Sequence, residues 1–131
     1  MPPSDWGAVA AEHRADQAAK RDVEAAVLAP LWANVPTARK TEILSADASS
    51  LLAAMQAGSA TSEEIVLVYT ERAYHIGCLE INAVTETFFL EAHAAAVACD
   101  AAVTTNPPPP PRPVPHTHTA PSTTKFPAMP D

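Results

Sequence analysis

Thr61-Ser62-Glu63-Glu64-Ile65-Val66-Leu67-Val68-Tyr69-Thr70-Glu71-Arg72 is the stretch that decides how this chain folds. Thr61 can accept a hydrogen bond from the amide of Glu64 while the Glu64 side chain reaches back to the amide of Thr61, the reciprocal pairing of a capping box. Glu63 and Glu64 also suit the positive end of a helix dipole. Behind this start, Ile65, Val68, Tyr69, Arg72 and Ile76 recur at helical spacing and line one face. Gly77 predicts the end of that helix.

Moving toward the N-terminus, Gly58-Ser59-Ala60 leaves only a short connection to the preceding element, which favours a packed helical hairpin. That element reads as a helix over residues 46–57. Ser45 or Asp47 caps it, Gly58 takes the left-handed position after its end, and Ala48, Leu51, Leu52 and Met55 form its buried stripe. Residues 5–29 read as a further helix, alanine-rich, with Ser4 or Asp5 as cap. Val9, Ala10, His13, Ala18, Val23 and Val27 give it a thin apolar face. Pro30 predicts its stop, because proline lacks a donor and clashes with the preceding turn. Residues 31–36 then form a linker anchored by Leu31 and Trp32.

Downstream, Leu79, Ile81, Ala83, Thr85 and Thr87 alternate with their neighbours, and β-branched residues are frequent. This predicts a short strand whose partners would lie in a sheet elsewhere. A last helix runs from 87 or 88 to 102, with Phe88, Phe89, Ala92, Ala95, Ala96 and Cys99 for packing. The expected fold class is mostly α: about four helices and one short strand over residues 5–103, then a disordered Pro/Thr-rich tail over 104–131. The tail offers too little apolar surface to offset roughly 1–2 kcal/mol of backbone entropy per ordered residue.

Composition narrows the function. Hydrophobic residues make up 47% of the chain, but nearly half of them are alanines, which bury little area. The large core candidates include Trp6, Leu28, Trp32, Ile43, Leu44, Leu51, Met55, Val68, Tyr69, Ile76, Phe88 and Phe89. So thin a core predicts packing against another protein surface. The net charge of −7 and the interleaving of Arg14, Lys20, Arg21, Arg39, Lys40 and Arg72 with acids argue against nucleic acid as a partner. No apolar run approaches the ~18 residues that span a bilayer, and the start lacks the basic and apolar regions of a secretory signal. Cys78 and Cys99, without Cys-x-x-Cys spacing, predict reduced thiols in a cytoplasmic protein.

One ordered series of residues resembles the N-terminal region of the amidase signature family, and within it the fungal acetamidase-like branch. The series is Asp47-Ala48-x-x-Leu51-Leu52, Gly58, Thr61-Ser62-Glu63-Glu64, Tyr69, Arg72-Ala73, Asn82-Ala83-Val84-Thr85-Glu86, Phe88-Phe89-x-Glu91-Ala92 and Asp100, preceded by Asp5-Trp6 and a charged helix. The resemblance implies helices that pack around an α/β/α core. It also implies hydrolysis of small carboxamides by a Ser–cis-Ser–Lys centre, whose Gly- and Ser-rich loop supplies the oxyanion donors. The three glycines, Gly7, Gly58 and Gly77, stand far apart, so no such loop can be built from these residues. The family's lysine sits in a His-Gly-x-Pro-x-x-x-Lys-Asp context. Here His118, Thr119, Pro121 and Lys125 stand at that spacing from Asp100, but with Thr119 for the glycine and Phe126 for the aspartate. The proline-biased tail accounts for that match by chance, and Lys125 would have no serine pair to serve.

The expectation is therefore a truncated amidase-family chain, inactive alone, with no catalytic, cofactor-binding or metal residues. The alternative is a stand-alone helical interaction module whose proline-rich tail is its ligand. Other chemistry reads as bland. His116-x-His118 lacks a third metal ligand at fixed spacing. The prolines at 107–111 with Arg112 and Pro113 suit an SH3-like groove, although a misread reading frame would give the same low complexity. Cys78 and Cys99 have no neighbouring His–acid pair, His75 and His93 read as packing or surface residues, and Glu63 and Glu64 serve the cap.

Overall fold

The computed structural model describes residues 5–105. Five α-helices follow in order: α1 (Trp6–Asn34), α2 (Thr37–Ser45), α3 (Ala48–Gln56), α4 (Ser62–Arg72) and α5 (Phe89–Thr105). α4 continues directly into a wider π-helical segment, Ala73–Glu80. α4 is the central element, packing on α5, α1 and α2. Leu28, Ile43 and Val68 are the largest fully buried side chains, and Ala25, Trp32, Val35, Leu67, Cys78 and Phe89 complete the core around them.

Only the second half of α1 reaches this core. Ala25, Leu28 and Trp32 follow one another at helical spacing and are buried, whereas every residue from 5 to 16 is exposed. Pro30 does not stop the helix, and residues 31–34 are helical rather than linker. An interior proline costs about 3 kcal/mol. Carrying the helix one turn further buries Trp32, lets its indole Nε1 donate to Thr70 Oγ1 at 3.1 Å, and brings Val35 into the core. Large buried side chains contribute about 1.5–3 kcal/mol each, so continuation wins. Pro30 itself faces solvent.

α2 is a helix additional to the four expected, and it inserts Ile43 into the centre. α3 starts as anticipated: the Asp47 carboxylate accepts the Ser50 amide at 2.7 Å, and Gly58 has φ +71° just past the helix. Its stripe is shallower than the spacing suggests. No α3 residue is buried; Leu51 leans on the core and Leu52 is exposed. Trp6, Tyr69, Ile76 and Phe88, anticipated as core, are exposed as well.

The expected strand is absent: among the described residues there is none. Its first part closes the π-helical segment and the remainder, 81–87, is irregular. Gly77 lies inside that segment rather than at a helix end, because Val84 folds back on it: a Cβ on Gly77 would stand 2.9 Å from Val84 Cγ2. The Ile81 amide donates to the Ile76 carbonyl at 3.0 Å and the Ala83 amide to the Gly77 carbonyl at 2.8 Å, local bonds in place of a strand ladder. α5 runs to Thr105, past the anticipated end at 102 and into the stretch read as tail. The rest of the expected tail, 106–131, lies outside the described residues, as do residues 1–4 with Ser4.

Candidate functional site

The start of α4 is the most heavily hydrogen-bonded point of the fold. Thr61 Oγ1 accepts the Glu64 amide at 3.1 Å, as the capping box requires. The reciprocal bond is replaced: the Glu64 carboxylate turns to Arg39, which donates to it from Nε and Nη2 at 2.9 and 2.8 Å. Arg39 also pairs with Glu42 at 2.8 Å, and these carboxylates hold its proton more tightly than usual. The two remaining first-turn amides are filled from α5. Asp100 Oδ1 accepts from Ser62 at 2.8 Å and Oδ2 from Glu63 at 2.9 Å. Burial alone would raise the Asp100 pKa, but the amides of Glu63 and Ser62 outweigh it and hold the carboxyl below its ordinary value. His93 Nε2 lies 2.9 Å from Glu63 Oε1, beside the same joint.

Among the described residues, the other candidates for chemistry form no reactive pair. His75 packs edge-on against Trp32 and Tyr74. Cys78 is buried and Cys99 exposed. Burial pushes the Cys78 thiol up in pKa, against the opposing pull of nearby Arg21. Glu63 and Glu64 are engaged by His93 and Arg39, a structural use for both. No cluster of three His, Cys, Asp or Glu side chains suited to a metal occurs among the described residues. His116, His118 and Lys125 lie outside them.

A groove of about 550 Å³ lies between α1 and residues 82–87. Arg14, Gln17 and Arg21 recur at helical spacing along one wall, with His13 beside them; Asn82, Val84 and Thr85 form the other. The opposite wall is tied down at both ends. Lys20 Nζ donates to the Thr87 carbonyl at 2.7 Å and lies 4.2 Å from the centre of the Phe88 ring. The Thr87 hydroxyl donates to the buried Glu24 carboxylate at 2.5 Å. At the other end stands the Gly77–Val84 contact, next to Asn82, which adopts φ +48°, a region that Asn tolerates better than most residues. Gln17 Oε1 and Arg21 Nε are buried without a hydrogen-bond partner among the described residues. Sequence reading passed over this groove, although the polar stripe Arg14, Gln17, Arg21 is visible in the spacing. The role of Asp100 was hidden, since a cap 38 residues away has no local signature.

No protein-family model, curated protein or solved structure matches the chain.

Proposed function

We propose that the chain is the helical N-terminal layer of an amidase-like hydrolase, lacking that enzyme's catalytic centre, and that it works by docking on a protein surface rather than by turnover. One observation carries the reading. Thr61-Ser62-Glu63-Glu64 and Asp100, which belong to the series that resembles the amidase signature family, meet in space as a single capping unit. Residues spaced for that joint form a scaffold, and a scaffold of this kind supports a site supplied by another part of the fold. The lack of a Gly- and Ser-rich loop speaks against amide hydrolysis by these residues.

A second reading, the self-sufficient interaction module, is favoured by the apolar side chains on the outside. Val23 and Val27 on α1, Leu52 on α3 and Phe88 before α5 are all more than half exposed. A complementation assay separates the two. An amidase-signature enzyme stripped of its own N-terminal helices is mixed with the purified chain, and acetamide hydrolysis is followed. Restored turnover supports the hydrolase layer; no binding and no rescue favours the module. Acetamide turnover by the chain alone would overturn both.

A further inference from the structure

We propose that the groove between α1 and residues 82–87 binds a small organic carboxylate with a short hydrocarbon body, its charged head held by Arg14 and Arg21. This is independent of the hydrolase reading and asks nothing of it.

Charge is the first argument. The groove is lined by two arginines, with His13 at its edge, against the single carboxylate of Glu86, in a chain whose net charge is −7. The other basic groups at the heart of the fold are committed: Lys20 to Thr87 and Glu91, Arg39 to Glu42 and Glu64, Lys40 to Glu71. Arg14 makes no ion pair within the described residues, and Arg21 pairs through Nε with its chain neighbour Asp22 at 3.6 Å, beyond hydrogen-bond distance. The two guanidinium groups, about two turns apart on one helix, present a pair of planar forks, which suits a carboxylate better than a point ion.

Unsatisfied polarity is the second. Gln17 and Arg21, neighbours on this wall, each keep a buried polar atom without a partner. Buried polar atoms are nearly always paired; the Arg21 Nε–H is a donor that a carboxylate can satisfy, whereas Gln17 Oε1 is an acceptor that a carboxylate cannot. The third argument is shape. Ala10, Ala18 and Val84 add apolar surface beside the arginines, so the occupant carries hydrocarbon as well as charge. The volume falls within the range of small-molecule sites. Lys20, Glu24 and Gly77 anchor the opposite wall, so the site is preformed.

The test is a two-dimensional amide NMR titration of the full chain with butyrate, with butyramide as the neutral isostere and inorganic phosphate as the anion without hydrocarbon. The expected result is saturable shifts confined to residues 10–21 and 82–87 with butyrate, at least tenfold weaker binding of butyramide and of phosphate, and tenfold weaker butyrate binding in Arg14→Gln and Arg21→Gln. Arg14 is exposed, so its variant keeps the fold and holds the test open should Arg21→Gln unfold. Absence of saturable shifts, equal binding of butyramide or phosphate, or unchanged affinity in Arg14→Gln would each overturn the proposal.

Discussion

Asp100 on α5 closes the first turn of α4 by accepting the amide of Glu63 at 2.9 Å, the same carboxylate also taking the amide of Ser62. A helix start is normally capped by the residue just before it. Here Thr61 serves one amide and a side chain from the next helix serves two, so the cap is also the tertiary joint between α4 and α5.

Removing this joint costs both functions at once. Asp100→Ala is expected to lower stability by about 1–2 kcal/mol, the upper part of the range for lost caps. Asp100→Asn, which keeps one acceptor oxygen, should lose less. Urea denaturation followed by circular dichroism measures both.

The same carboxylate makes stability depend on pH. Its folded pKa lies below the unfolded value of about 3.9, so its contribution is complete above that pH and is lost as pH falls through the folded value. Acid titrations of the thermal midpoint should show a steeper decline below about pH 4 for the parent chain than for Asp100→Asn. Identical acid limbs would remove Asp100 from the account.

Thr87→Val strips the buried Glu24 carboxylate of the hydroxyl that donates to it and is expected to cost about 1–3 kcal/mol. The double variant Thr87→Val/Glu24→Leu should recover part of this, because an apolar pair leaves no unpaired charge. A chemical-denaturation cycle on the four proteins reads the difference.

Gly77→Ala sets two effects against each other. Alanine gains about 1 kcal/mol of helix propensity, but its Cβ would stand 2.9 Å from Val84 Cγ2, and overpacking costs about 1–3 kcal/mol. The net change should be destabilising in the parent chain and neutral or favourable in a Val84→Ala background. Thermal melts of the two pairs settle the sign.

The two thiols should react at different rates. Cys99 is exposed, while Cys78 is 3% exposed with its pKa pushed up by burial, so less of it is thiolate. One rapid maleimide adduct, at Cys99, is expected in the folded chain and a second only on denaturation. Fast labelling of Cys78 would mean that the π-helical segment opens readily.

What could be read in advance was local chemistry. Asp47 and Thr61 accept the amides their positions imply, and Gly58 takes the positive φ a helix end calls for. What escaped was decided by partners remote in sequence. Pro30 is a stop signal only until the burial of Trp32 and its bond to Thr70 are weighed against it. The alternation of 79–87 is a strand signal only if another strand exists; Gly77 instead offered Val84 a close seat. Arg14, Gln17 and Arg21 were legible as a polar stripe. That the stripe faces a wall pinned by Lys20 and Glu24 was not, because those bonds span more than 60 residues.

The remote cap also imposes an order on biosynthesis. α4 is made before the residue that completes its first turn, with 37 residues separating Glu63 from Asp100. At about 5–20 residues per second, that interval is roughly two to seven seconds on the ribosome. Until it ends, the amides of Ser62 and Glu63 have only water to bond, and α4 and α5 become a finished pair in a single late step.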